Sequence, residues 1–256
     1  TAVKQEDNIL LEGNISSFEF KNMKFYYDGR KALFHSFNLK IASGEKMALV
    51  GHTGSGKTTL LKLLARYNEF QDGQILVNGT DIRKLNLDQY RRKIGIISQN
   101  PYLFSGTVKN NILYGNDSAT EEDLQKAINT IVDGEWIDDF ANGLDSDVGE
   151  CGALISAGQQ QLIALARIIL KNPDVLILDE ATANIDPFTE AQIQDGLKKL
   201  MANRTVIMVA HRISTLNFAD RITVLDDGRI IESGTQEELL NKKGVYSELH
   251  SKYYEI

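Results

Sequence analysis

The sequence predicts an α/β protein: a parallel-sheet core with an antiparallel β layer and an inserted α-helical block. Three observations predict it. Short apolar runs at 47–50, 175–178 and 205–209 alternate with helical stretches, as strands buried on both faces of a parallel sheet do. Ahead of them, residues 17–22 and 34–41 alternate apolar and polar positions, the period of half-buried antiparallel strands. From 107 to 170 a helical period takes over, and Leu162, Leu165, Ala166 and Ile169 share one face of its longest helix.

Residues 1–13 are polar and irregular and read as a linker or an edge. Phe18 and Phe20 fall on one face of the first strand, and Met23 to Tyr27 continue the pattern to the Asp28-Gly29 turn. Phe18, Phe20 and Phe25 are expected to fill a sheet core rather than stack on a ligand. Phe37, Leu39 and Ile41 line the next strand, and Ser43-Gly44-Glu45 turns the chain back. The strand at 74–77 runs into Asn78-Gly79, a strong hairpin signal. A helix is expected over 86–93 and a strand over 94–97, which ends before Pro101. Helices are expected after Ser118, where acidic residues sit at a positive helix end, over 136–140, and from about 158 to 170. Asn172-Pro173-Asp174 breaks the last of these. A helix with Pro187 in its first turn follows the 175–178 strand. Residues 221–225 and 229–232 form a hairpin about Asp227-Gly228, and Thr235-Gln236-Glu237-Glu238 is a capping box opening a terminal helix.

Bulk properties narrow the function. The chain has 256 residues, 42% hydrophobic and 25% charged, enough for one large domain or two small ones. Its net charge of −7 supplies no basic stripe for a nucleic-acid backbone. No apolar run approaches the roughly 18 residues of a membrane span, and no secretory leader is expected. The lone Cys151 excludes an internal disulfide, suits a reducing compartment, and reads most simply as incidental.

The chemistry starts at Gly51-His52-Thr53-Gly54-Ser55-Gly56-Lys57-Thr58, which fits G-x-x-x-x-G-K-[ST] at every fixed position. An apolar strand runs in and a helix beginning at Thr59 runs out, the setting of a phosphate-binding P-loop. Glycines let successive amides point at one anion, and the helix N-terminus adds positive potential. Lys57 can reach the β- and γ-phosphates of a nucleoside triphosphate, and the Thr58 hydroxyl can hold Mg²⁺. Asp179 and Glu180 end an apolar strand, with Asp179 suited to the Mg²⁺ shell and Glu180 to orienting and deprotonating a water. The alternative for one such carboxylate is a helix cap. Gln99 can sense Mg²⁺ or water, and His211 can donate to a γ-phosphate. A parallel sheet gathers its ligands outside the carboxyl ends of its strands, and all these residues follow apolar strands.

Together these residues resemble the nucleotide-binding domain of an ATP-binding cassette (ABC) transporter. Ile155-Ser156-Ala157-Gly158-Gln159 resembles the family signature Leu-Ser-Gly-Gly-Gln, and it opens the long helix as the family has it. Gln99 matches the Q-loop, Ala181-Thr182-Ala183-Asn184-Ile185-Asp186 the D-loop, and His211 the switch histidine. Tyr27, with Tyr26 as its rival, falls where the family's adenine-stacking aromatic lies. Ser146-Asp147-Val148-Gly149-Glu150-Cys151-Gly152 resembles the exporter stretch Thr-Glu-Val-Gly-Glu-Arg-Gly, which in that subfamily meets the coupling helices of the membrane domain. The resemblance covers nearly all of the chain after residue 17.

The resemblance implies a P-loop NTPase (RecA-like) core at 17–98 and 172–256, a helical signature block at 99–171, and a linker at 1–16 from a membrane domain. It implies ATP and Mg²⁺ as ligands, and a head-to-tail pair of ATPase domains on the cytoplasmic face of a membrane, joined to a transmembrane domain. Ser156, Ala157, Gly158 and Gln159 would then act on the partner domain's ATP. No nucleic-acid partner is implied. A soluble ABC protein of translation or DNA repair, a non-hydrolysing module and a P-loop kinase fit the chain less well. Three positions depart from the pattern: Ala157 replaces a glycine, Ile155 a leucine, and Leu162 stands where arginine is usual. Ala157 adds a methyl near a phosphate and takes φ > 0 only at a cost. It leaves two partners open, an identical domain that tolerates alanine or a different domain with an intact signature. The substrate is not legible.

Overall fold

The computed structural model describes residues 7–116, 118–179, 185–210 and 213–254. In chain order the strands are β1 (Phe18–Phe25), β2 (Phe34–Ile41), β3 (Lys46–Val50), β4 (Asp72–Val77), β5 (Thr80–Asp81), β6 (Ile94–Ser98), β7 (Val175–Asp179), β8 (Thr205–Val209), β9 (Arg221–Asp226) and β10 (Arg229–Gly234). The helices are α1 (Lys57–Leu64), α2 (Leu87–Arg92), α3 (Val108–Leu113), α4 (Glu121–Asn129), α5 (Ala157–Lys171), α6 (Pro187–Met201), α7 (Ile213–Leu216), α8 (Gln236–Lys242) and α9 (Val245–Tyr254). They fall into two compact units, and the chain passes from the first to the second at β6.

The first unit holds residues up to 94, 174–179 and 203 onward. One of its sheets is antiparallel, in the order β2-β1-β4-β5. Phe18 faces Ile41 and Phe20 faces Leu39 across the β1–β2 ladder. Phe18, Phe20 and Phe25 are buried, and Phe20 meets Phe37 edge to face at 5.6 Å. The phenyl rings therefore go to packing. The other sheet runs β10-β9-β3-β8-β7. β9, β3, β8 and β7 are mutually parallel, and β10 closes an antiparallel hairpin on β9. Met47, Ala48, Leu49, Val206, Ile207 and Met208 are fully buried, so these strands read as continuous apolar runs rather than alternating ones. The β4–β5 hairpin turns at Asn78 (φ 50°) and Gly79 (φ 82°), the left-handed pair that a two-residue turn needs.

The described part of the irregular N-terminal segment is docked on this unit. The Ile9 amide donates to Lys84 O at 2.9 Å, the Leu11 amide to Gln89 Oε1 at 2.6 Å and the Ile15 amide to Asp174 Oδ2 at 3.0 Å. Leu11 and Ile15 are buried. Local pattern showed no element here because the partners are far along the chain.

The second unit holds 95–173 and 185–202. α5 is its central helix, with α3, α4 and α6 around it. Gly196 of α6 faces Leu165 and Ile131 so closely that an added Cβ would lie 2.7 Å and 2.9 Å from their side chains. Trp136 is fully buried and donates from Nε1 to Ile128 O at 3.2 Å. The helix expected over 136–140 is instead the end of a 3₁₀ stretch, Val132–Asp139, broken by left-handed Asp133 (φ 51°) and Gly134 (φ 90°). Two such residues interrupt the i→i+4 ladder, and tighter turns take its place.

Candidate nucleotide-binding site

The loop from Gly51 to Gly56 joins β3 to α1. Gly51, Gly54 and Gly56 have φ of 145°, 86° and 110°, values open to glycine. Space adds a second requirement at two of them. A Cβ on Gly51 would overlap the Leu225 carbonyl oxygen, and one on Gly56 would lie 2.8 Å from Phe34 Cζ. Gly56 caps α1 without a side-chain hydrogen bond, and no acidic residue stands in the first turn. The N-terminus of α1 therefore presents positive potential uncompensated by a first-turn carboxylate, which suits a ligand of negative charge.

Lys57 is buried, and its ammonium curls back over the loop. It donates to Gly51 O at 2.7 Å, His52 O at 2.9 Å and Ser55 Oγ at 3.4 Å. A buried ammonium held at the rim of a glycine-rich turn by backbone oxygens and a hydroxyl suits a polyphosphate. Ser55 is buried, and its amide donates to His52 O at 3.1 Å, which closes the turn. His52, Thr53, Gly54 and Thr58 are exposed, and Thr59 is buried.

A cleft of about 490 Å³ opens beside this loop. Tyr27, Lys31, Thr53, Lys57, Thr58 and Asp227 are among the residues that line it. The Tyr27 hydroxyl is 3.0 Å from Thr59 Oγ1, and its ring meets Phe25 edge to face at 4.9 Å. Those two contacts hold the ring in the cleft wall, where the residue stays 38% exposed. Tyr26 does not line this cleft and borders a smaller hollow with Glu69 and Gln71. Sequence reading missed the contribution of Arg30, Lys31 and Asp227 to this wall. The one signal for them was the Asp28-Gly29 and Asp227-Gly228 turns, which say that the chain reverses but not beside what.

Asp179 is the last residue of β7, half-buried, and pairs in register with Val209 of β8. β8 in turn pairs with β3, the strand that feeds the loop. Parallel neighbours bring Asp179 and the loop to the same sheet edge of the first unit. Glu180, Ala181, Thr182, Ala183, Asn184 and His211 lie outside the described residues. Gln99 is exposed and belongs to the second unit. Its backbone is held by the buried Gln161 of α5, whose Nε2 donates to Gln99 O at 2.5 Å and Ser98 O at 3.1 Å. The Gln161 role had no signal in the sequence beyond a polar residue on an apolar face.

The second unit also carries Ser156–Gln159. Ser156 is the N-cap of α5, and its Oγ accepts from the Gln159 amide at 3.1 Å. Gln159 Oε1 accepts from the Ser156 amide at 3.0 Å, completing a capping box. Ala157 is exposed in the first turn and has no positive φ. The cost expected of an alanine at φ > 0 is therefore absent, because position 157 is helical. Gly158 is buried. Asp186 is the exposed N-cap of α6 and accepts from the Thr189 amide at 2.9 Å. Hydrogen bonds from the Thr189 backbone and side chain hold its carboxyl below the usual carboxylate range. Among the described residues, no helix is long and apolar enough to cross a membrane.

Comparison with known proteins points the same way. A family model described as ABC transporter matches residues 34–183. The chain is similar to the uncharacterized ABC transporter ATP-binding protein YknV of Bacillus subtilis (strain 168), 43% identical over 253 residues, which is 98% of this chain and 42% of that protein. It is similar to the ATP-dependent lipid A-core flippase of Escherichia coli (strain K12), 41% identical over 249 residues, 96% of this chain and 43% of that protein. The solved structure of a bacterial Atm1-family ABC exporter with ATP bound matches with a TM-score of 0.89 at 35% identity, over 97% of this chain and 44% of that one. The chain spans less than half the length of these relatives. With its P-loop, its capped signature-like helix and this likeness, the chain belongs to the ABC transporter family, as a nucleotide-binding domain homologous to exporter ATP-binding proteins.

Proposed function

We propose that this domain binds ATP with Mg²⁺ and hydrolyses it to ADP and phosphate, and so drives export across a membrane from its cytoplasmic face. The observation that carries the reading is the buried Lys57 ammonium inside a loop of glycines, beside a cleft walled by Tyr27. Tyr27 stacks on the adenine, and Gly51, His52, Thr53, Gly54, Ser55, Gly56, Lys57, Thr58 and Thr59 hold the phosphates. The Thr58 hydroxyl and the Asp179 carboxylate are oxygen donors of the kind Mg²⁺ takes, with Gln99 through water. Bound there, Mg²⁺ would neutralise charge on the phosphate oxygens. Glu180 accepts the proton of the attacking water, and His211 donates to the γ-phosphate.

The functional unit is a head-to-tail pair. Ser156, Ala157, Gly158 and Gln159 complete the partner domain's site, with the α5 N-terminus toward the phosphates, and Asp186 stands at the same interface. A transmembrane domain is the other partner, as the length of the relatives supports. The unstrained backbone at Ala157 favours an identical partner that tolerates the methyl; a different partner with an intact signature is the second reading.

ATPase rate against protein concentration tests this. Specific activity should rise with concentration, because each site needs two chains. Glu180→Gln should bind ATP and pair yet barely turn over; unchanged turnover removes Glu180 as the base. Vigorous cooperative turnover by this domain alone would sink the unequal pair.

A further inference from the structure

We infer that Gly228 is a positioning residue for the nucleotide cleft, spacing the 28–33 segment from the P-loop. The inference rests on the ATP-binding reading above. Gly228 ends the Asp227-Gly228 turn between β9 and β10, with φ 69°. Its amide donates to Ser55 O at 3.1 Å, which ties the turn to the P-loop. Its α-carbon faces the other wall. A Cβ at 228 would overlap the Leu33 carbonyl oxygen and lie 2.8 Å from its carbonyl carbon.

Leu33 has little room to retreat. Its amide donates to Phe25 O at 2.8 Å, so the segment is anchored on β1. On its other side, Gly56 of the P-loop sits where a Cβ would lie 2.8 Å from Phe34 Cζ and 3.6 Å from Leu33 Cδ2. The neighbouring strand end repeats the device, with the Leu225 carbonyl oxygen against Gly51. Three segments distant in sequence thus meet at glycine α-carbons. Tyr27, Leu33, Asp227 and the P-loop line one cleft, so its width is set where Gly228 touches both sides. A methyl at 228 must push Leu33 away or break the bond to Ser55.

Gly79 supplies a matched control. It ends the other two-residue hairpin turn, at φ 82°, and a Cβ there would meet nothing within 4 Å. Alanine at either position carries the same kind of backbone strain, and only Gly228→Ala also displaces the cleft. The test compares the chain as it is, Gly228→Ala and Gly79→Ala by thermal unfolding and by titration with a fluorescent ATP analogue. Both variants should lose some thermal stability. Gly228→Ala should bind the analogue at least roughly tenfold more weakly, and Gly79→Ala within about twofold, where tenfold is about 1.4 kcal/mol.

Equal binding by a folded Gly228→Ala overturns the inference, and equal weakening in both variants does so too. Failure of the unaltered chain to bind the analogue overturns the ATP reading itself, a separate result. Should Gly228→Ala not fold, amide exchange of the unaltered chain decides. Saturating analogue should slow exchange at Gly228 together with Ser55 and 28–33; protection of the P-loop without Gly228 overturns the coupling.

Discussion

Gly158 of α5 lies directly against Thr189 of α6: a Cβ at 158 would come 2.5 Å from Thr189 Cγ2 and 3.2 Å from Ile185 Cγ2. The resemblance assigns Gly158 to a phosphate held in trans. Packing inside its own unit requires a glycine there as well. The contact joins the start of the signature helix to the first turn of α6, where Asp186 caps on Thr189. Gly158→Ala should therefore destabilise the domain by about 1–3 kcal/mol, the usual cost of an extra methyl in a filled site. Thr189→Ser removes the opposing methyl, and the double variant should recover most of the loss in urea unfolding. If stability returns while concentration-dependent hydrolysis stays low, position 158 has a role across the pair that packing does not explain. An unchanged midpoint for Gly158→Ala would refute the packing account.

Tyr27 and Tyr26 are adjacent and about equally exposed, and both border the smaller hollow, but Tyr27 alone also lines the cleft beside the P-loop. Stacking of a base on an aromatic ring is worth about 1–3 kcal/mol by alanine substitution. Tyr27→Ala should weaken binding of a fluorescent ATP analogue by roughly 10- to 100-fold on that scale. Tyr26→Ala should leave it within about twofold. Equal losses in the two variants would mean that the ring facing the cleft is not what the base uses.

Ala157 sharpens a point that sequence alone left to analogy. A glycine at the matching position of the signature suggests relief of strain when alanine is replaced. The helical, exposed Ala157 predicts the opposite sign. Ala157→Gly should lower stability by up to about 1 kcal/mol, the helix-propensity gap between the two residues. A variant more stable than the parent would show strain at 157 that the backbone does not display. On the proposed head-to-tail pairing, any rise in hydrolysis then comes from removing the methyl from the partner's site.

The strands and the P-loop were legible because their signals are local. A continuous apolar run, a glycine pattern and a capping residue each act within a few positions. The 3₁₀ path through Asp133 and Gly134 was hidden because a short apolar-polar run at 136–140 fits either helix. What packs on what was hidden too. α6 groups with the second unit through Gly158, Thr189 and Gly196, and no periodicity names the partner of a helix face. The docking of Leu11 on Gln89 and of Gly228 on Ser55 joins residues far apart in the chain. At the site, the P-loop was readable by spacing, and resemblance singled out Tyr27, which lines the cleft beside it. The Asp227-Gly228 wall was visible only as a turn, since its role depends on which loop passes beneath it.

Two carboxylate caps give the second unit a dependence on acid. Asp123 is held below the usual carboxylate range by hydrogen bonds from the Thr120 side chain and then its backbone, and Asp186 by those from Thr189. A folded-state pKa below the unfolded one near 3.9 means stability that is present above that value. It is lost as pH falls through the folded pKa, because the unfolded chain takes up the proton first. Asp186→Asn keeps an N-cap oxygen of comparable quality. Asp123→Asn keeps an oxygen that can accept from the Thr120 N-cap in the capping box. Both remove the charge favoured at a helix N-terminus. At neutral pH each variant should melt somewhat below the parent. As pH falls below about 4 toward the folded-state pKa values, the parent should lose Tm faster than the variants, so that the curves converge. Both sites are exposed, so raising the salt concentration should narrow the neutral-pH gap. Parallel melting curves across that window would show that the caps contribute through their hydrogen-bond geometry alone, with no titrating part.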